Sequence, residues 1–139
     1  MKTKTFLLLL LLGGILLSGQ GCKRESTPVK SNATSIGIVI YSNDIETVWY
    51  ALRFANNAKA KGDLVSIFLL GKGVELENLV KADKNVKEQA DKFLNSGGFI
   101  LGCGTCLESR NSNEPQVCKF SSMNDLYDMV HANSIVMTF

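Results

Sequence analysis

Short apolar runs alternate with amphipathic segments along most of this chain. The first run, SIGIVIY from Ser35 to Tyr41, is β-branched and lacks polar alternation. That is the pattern of a strand buried on both faces. Asn43 then offers a helix cap, with Glu46 three residues on as its reciprocal partner. Val48, Ala51, Leu52 and Ala55 recur at helical spacing until Gly62 stops the helix. Leu64 to Leu70 is a second buried run. GKGVELENL follows as a glycine-punctuated loop with room for one helical turn. A second clear helix spans about Lys84 to Asn95, with Val86, Ala90, Phe93 and Leu94 on one face and Gly97 after it. GFILGC is a third strand, ending at Cys103. A short helix from near Gly104 to about Arg110 comes next, then the polar loop NSNEPQ and a short strand at VCKF. Ser122 with Asp125 forms a capping box that opens a helix to about Ala132, and Ser134 to Phe139 closes the chain as a last strand.

Regular alternation of strand and helix implies a mostly parallel sheet with right-handed crossovers and helices on both faces. The expected architecture is a single three-layer α/β/α domain with about five strands, spanning residues 35–139. In such sheets reactive groups gather beyond the carboxyl ends of the strands. Cys103 stands at one such end, and the loop from Ser42 to Glu46 opens on the same rim.

The first 21 residues read as something other than fold. Lys2 and Lys4 precede an apolar stretch from Phe6 to Leu17 broken only by Gly13 and Gly14. This matches a secretory signal and falls short of the ~20 residues a membrane span needs. Gly19 and Gly21 suit a signal peptidase, and Cys22 then becomes the new N-terminus, as a lipoprotein signal requires; ordinary cleavage to a soluble exported protein is the alternative. Residues 22–34 carry the lipidated cysteine and a polar tether without hydrophobic period. Such a tether reaches ~20 Å r.m.s. as a random coil, holding the domain just off a membrane that faces the periplasm or the cell exterior. Loss of Lys2 and Lys4 leaves 13 basic against 13 acidic residues. A net charge of zero without interleaved aromatics gives no argument for nucleic-acid binding.

Of the four cysteines, Cys22 belongs to the anchor, which leaves Cys103, Cys106 and Cys118 in the domain. An odd number implies a thiol that is free or used chemically. A thiol where a strand enters a helix meets unpaired backbone N–H groups, which favour thiolate. Gly102 and Gly104 let the backbone approach a substrate. Thr105 offers a hydroxyl or a cap. Cys106, one helical turn on, can attack a sulfur bonded to Cys103. Four uses compete. Zinc could draw on Cys103, Cys106, Cys118 and His131, but a second ligand pair at metal spacing is missing, so no metal is assigned. A structural disulfide within CxxC closes too small a loop to stabilise much. A thioredoxin-type redox pair would follow an early strand and face a proline; here the pair follows the third strand, and the prolines are Pro28 and Pro115.

The fourth use comes from a resemblance. ALRFANNAKAKG at residues 51 to 62, VSIFLLGKGVE, CGTCLESR and SSMNDLYDMV with the final SIVMTF resemble, in order and spacing, the DsrE/DsrF family of sulfur-relay proteins. The likeness covers residues 36 to 139. It implies sulfur transfer through a cysteine persulfide, with the reactive cysteine seven residues before an arginine. Counting back from Arg110 reaches Cys103. Asn111 stands where the family has glycine, and NSNEPQ lengthens the following loop. The resemblance also implies a homo-oligomer, a trimer or hexamer, and sulfur donors and acceptors as partners, with no cofactor. It leaves open whether the protein is an enzyme, a sulfurtransferase being the activity in question. A thiol–disulfide redox protein using Cys103 and Cys106, and a non-enzymatic anchored binding module with the two cysteines merely paired, are the alternatives. Arg110 can hold an anionic sulfur species or simply end a helix. His131 suits a helix C-terminus, Trp49 and Tyr50 suit packing or subunit contacts, and Cys118 is either a buried small hydrophobe or a third redox thiol.

Overall fold

The computed structural model describes residues 33–139. The segment read as a signal (1–21), the cysteine read as lipidated (Cys22) and nearly all of the stretch read as a tether lie outside the described residues. Within them the chain forms β1 (Ser35–Ile40), α1 (Ile45–Ala60), β2 (Leu64–Leu69), a 3-10 turn (Gly71–Glu75), α2 (Leu76–Ala82), α3 (Lys84–Asn95), β3 (Ile100–Cys103), α4 (Gly104–Glu108), β4 (Lys119–Ser121), α5 (Met123–Ala132) and β5 (Ile135–Thr138). No helix among the described residues is long and apolar enough to cross a membrane.

The five strands make one sheet in the order β4-β3-β2-β1-β5, and every pairing is parallel. β1 and β2 have partners on both sides, and Ile36 to Ile40 and Val65 to Leu69 are buried throughout. Double burial is the reason both segments are unbroken apolar runs. β4 and β5 are the edges and stay largely exposed.

Right-handed crossovers carry the chain steadily from β1 to β4, which stacks α1 to α4 on one face. The return from β4 to β5 crosses back over the sheet and lays α5 on the other. Asn133, just past α5, fastens this second layer. Its side-chain amide donates to Met129 O and to Ser66 Oγ. Across α1 and α3, the buried Asn56 donates to the main-chain and side-chain oxygens of Gln89. Gly62 and Gly97, both at positive φ, end α1 and α3.

Two local readings of the sequence change. Asp44, not Asn43, caps α1; its carboxylate accepts from the backbone N–H and hydroxyl of Thr47. The GKGVELENL stretch holds more than one turn. Its 3-10 turn runs straight into α2, because Leu76, Leu79 and Val80 share a helical face and Val74 and Leu76 are fully buried. That burial outweighs the helix-breaking glycines at 71 and 73, which are confined to the turn.

Phe68 lies on the central strand, one residue from its carboxyl end, and is fully buried. Phe68→Ala is expected to lower unfolding stability by about 3–5 kcal/mol, measured by urea denaturation; a loss under about 1 kcal/mol would mean the core collapses around the gap.

Candidate functional site

Because all five strands run the same way, the segments leaving β1, β2 and β3 emerge on one rim. The 3-10 turn after β2 is pressed against the end of β1. Leu70 N–H donates to Ile40 O, and Gly73 N–H returns to Leu70 O. A Cβ on Gly73 would lie 1.9 Å from Ile40 O, so only glycine permits this approach. The turn is thereby aimed at the cysteine segment after β3. Gly71, at φ 56, points its N–H at Cys106 Sγ, 3.3 Å away.

The two motif cysteines are not equivalent. Cys103, the last residue of β3, is 6% exposed, whereas Cys106 is half-buried and open to the rim. Cys103, Cys106 and Cys118 are all free thiols. Burial pushes the Cys103 thiol up from its ordinary value, and the hydrogen-bonded Cys106 side chain adds to this. The backbone N–H groups of Cys106 and Thr105 pull the other way and lose. The strand-to-helix position therefore does not produce the lowered Cys103 pKa expected from sequence. Withdrawal from water outweighs the few N–H donors that a five-residue helix can offer.

Cys106 is held by its backbone as well as its sulfur. Its carbonyl accepts from Ser109 Oγ at 2.9 Å and from Arg110 Nη1 at 3.1 Å. Arg110 in turn donates through Nε to Glu75 Oε1 at 3.1 Å, and Glu75 Oε2 accepts from Asn43 Nδ2 at 2.8 Å. Bonds from Asn43 and then Arg110 hold the Glu75 carboxyl below its usual range. Asn43, Glu75 and Arg110 thus link the rim segments after β1, β2 and β3 in one chain of hydrogen bonds. Each partner is partly exposed, so the ion pair itself contributes little stability. Its consequence is position. Asn111 sits at φ 55, and Ser112 N–H bonds Leu107 O while Asn111 N–H bonds Glu108 O. This left-handed cap turns the chain where Arg110 leaves α4.

The other motif residues have definite surroundings. The space a Cβ on Gly102 would take is filled by Cys118 Sγ at 2.6 Å and Leu107 Cδ1 at 3.1 Å. A Cβ on Gly104 would lie 3.2 Å from both the Phe120 ring and Ser121 O. Thr105 is exposed on the rim. His131 stays on its own helix, with Nδ1 2.9 Å from Tyr127 O and its ring stacked on Tyr127. Trp49 packs partly against the core under the Arg53 guanidinium, and Tyr50 is half exposed. Among the described residues no group of three or more His, Cys, Asp or Glu side chains is arranged to hold a metal ion.

Sequence reasoning missed Gly71, Glu75 and Glu77, all within the stretch read mainly as loop. Glu77 is 5% exposed, and its two carboxylate oxygens accept the backbone N–H groups of Gln116, Val117 and Cys118 at 2.8–3.0 Å. This anchors the loop between α4 and β4 to α2. The available signal was topological: the segment follows a strand and opens on the same rim as the cysteines.

Residues 35–139 match the model of the DsrE/DsrF-like family. Over 100 residues the chain is 31% identical to an uncharacterized protein, MJ0989, of Methanocaldococcus jannaschii, covering 68% of this chain and 88% of that protein. It is 29% identical over 100 residues to another uncharacterized protein, MK0008, of Methanopyrus kandleri, covering 68% and 83%. The crystal structure of the ychN protein from E. coli superimposes with TM-score 0.66 at 18% identity, over 76% of this chain and 99% of that one. A conserved protein of unknown function from Bacteroides thetaiotaomicron, BT1422, superimposes with TM-score 0.61 at 20% identity, over 76% and 95%. These two likenesses concern the fold.

Burial, with the Glu77 carboxylate beside it, pushes the Cys118 thiol up to about 12. In the unfolded chain the thiol titrates near 9.0. Above that pH the unfolded state gives up a proton that the folded state keeps, so stability falls as pH rises toward about 12. Urea titrations from neutral to alkaline pH are expected to show this decline, shallower in Cys118→Ala. Identical slopes for the two proteins would show that Cys118 does not titrate as its surroundings require.

Proposed function

The chain belongs to the DsrE/DsrF-like family, a family of sulfur-relay type, and on that premise we propose that it carries sulfane sulfur as a persulfide on its rim cysteines, with Cys103 as the loaded residue. The observation that carries the reading is the assembly of two free thiols at the end of β3 under a backbone N–H from the turn after β2. A thiolate attacks the outer sulfur of a persulfide donor, R–S–SH. The donor's S–S bond breaks, RS⁻ leaves and takes up the proton the protein thiol gave, and the protein keeps the sulfur. An acceptor thiol reverses the step. Exposure of Thr105 on the rim supports a role for its hydroxyl in meeting donor or acceptor. Gly102 and Gly104 admit the close packing around the sulfurs, and Arg110 sets the Cys106 turn.

A second reading uses the same pair as a thiol–disulfide couple. It is favoured by the Cys106 side chain lying close enough to hydrogen-bond the Cys103 thiol. That chemistry gives a disulfide and a defined reduction potential, with no sulfur gained.

We further propose that the domain works outside the cytoplasm, held at a membrane by a lipidated Cys22, and that it self-associates. Lys2, Lys4 and the apolar stretch after them support export. Exposed Met123, Tyr127 and Val130, one or two turns apart on α5, support an interface between copies. In the full chain, Cys22→Ser is expected to move the protein from the membrane fraction to the soluble fraction of the expressing cell; unchanged partition would exclude the anchor.

Mass spectrometry of the reduced, folded protein after incubation with a sulfane donor is expected to show a gain of about 32 Da, one sulfur atom, on the peptide carrying Cys103. A loss of about 2 Da instead, from the two cysteines joining, would favour the redox couple. No gain of sulfur at any cysteine would sink the persulfide reading.

A further inference from the structure

The two rim sulfurs differ in ways that assign them an order. Cys103 is 6% exposed at the end of a buried strand, and burial holds its proton on. A donor arriving from solvent finds little of its surface. Cys106 is half-buried, and the Gly71 N–H points at its sulfur from 3.3 Å. A fixed donor bonds a sulfur anion more strongly than a neutral thiol, so it favours every step in which Cys106 attacks or departs as thiolate. The Cys106 main chain is also pinned, by Ser109 and by an Arg110 that Glu75 holds in turn. Gly71 itself is positioned by the turn locked over Ile40. Reactive cysteines are partly exposed and anion-stabilised, whereas buried ones are inert to solvent. Cys103 has backbone N–H donors of its own, from Cys106 and Thr105, so exposure separates the pair: of the two, Cys106 is the one partly open to a donor from solvent.

We propose that Cys106 is the thiol that receives sulfur from the donor and that Cys103 takes it over from Cys106. The proposal rests on the persulfide reading above and gives it a direction. Cys106 thiolate attacks the outer sulfur of a small persulfide, R–S–SH; the donor's S–S bond breaks and RS⁻ leaves with the proton. Cys103 then attacks the outer sulfur of Cys106–S–SH. The bond to Cys106 breaks, its thiolate forms under the Gly71 N–H, and the proton released by Cys103 returns to it. One sulfur atom and one S–S bond move at each step, so no external oxidant or reductant is needed. The loaded sulfur ends on the less open of the two rim cysteines, where adventitious thiols and oxidants reach it slowly.

The test is a single-turnover time course with glutathione persulfide, quenched by alkylation and read by peptide mass spectrometry. In the wild type, the gain of about 32 Da is expected on Cys106 first and on Cys103 later. Cys106→Ser is expected to slow loading of Cys103 by about tenfold or more. Cys103→Ser should still take up sulfur at Cys106 and keep it there. Circular dichroism checks that each variant is folded, and the wild-type order of labelling serves if one is not. Loading of Cys103 in Cys106→Ser at the wild-type rate, or first labelling of wild type at Cys103, overturns the order while leaving persulfide carriage standing. Absence of sulfur from both cysteines of the wild type overturns the carriage and the order together.

Discussion

The structure depends on the parallel pairing of β1, β2 and β3. Parallel strands must be joined by crossovers, and their common direction places every outgoing loop at the same end of the sheet. From that constraint follow the common rim for Asn43, Gly71 and the two cysteines, and the burial that makes β1 and β2 uninterrupted apolar runs. The core holds the strands in register. The register in turn decides which loop residues face one another across the rim.

At the rim, burial and hydrogen bonding act on the two thiols in opposite directions. The strand end takes Cys103 out of water, and the short helix after it supplies too few N–H donors to compensate. Cys106 lies just far enough along to emerge beside Gly71. The chain of Asn43, Glu75 and Arg110 adds little stability of its own, since its members are partly exposed. It joins three segments whose relative placement determines where the Cys106 sulfur sits. Glu77 does comparable work deeper in, satisfying three backbone N–H groups that would otherwise be stranded as the loop descends to Cys118.

Features encoded by near neighbours were legible in the sequence. The capping box of Ser122 and Asp125 is present as read, and the left-handed stops at Gly62, Gly97 and Asn111 follow from what those side chains tolerate. Less legible was any choice between adjacent candidates. Asn43 and Asp44 both suit a helix cap. Asp44 takes the role because Asn43 is engaged by Glu75, a residue 32 positions away. The turn and helix after β2 were obscured because their glycines signal a loop, whereas the burial of Val74 and Leu76 is a property of the assembled sheet.

By itself the sequence determined the class of fold, the alternation and approximate limits of its elements, the family, and the cysteine segment at a strand's carboxyl end. Each of these depends on periodicity or on residues within one turn of each other, so a linear reading suffices. Only the tertiary structure decided which sulfur is buried and which is exposed, that Gly71 reaches Cys106, that Arg110 is held by Glu75, and that Cys118 fills the space Gly102 leaves. Those depend on the strand register and on how closely the turn after β2 approaches β1, contacts between residues dozens of positions apart that no local pattern records.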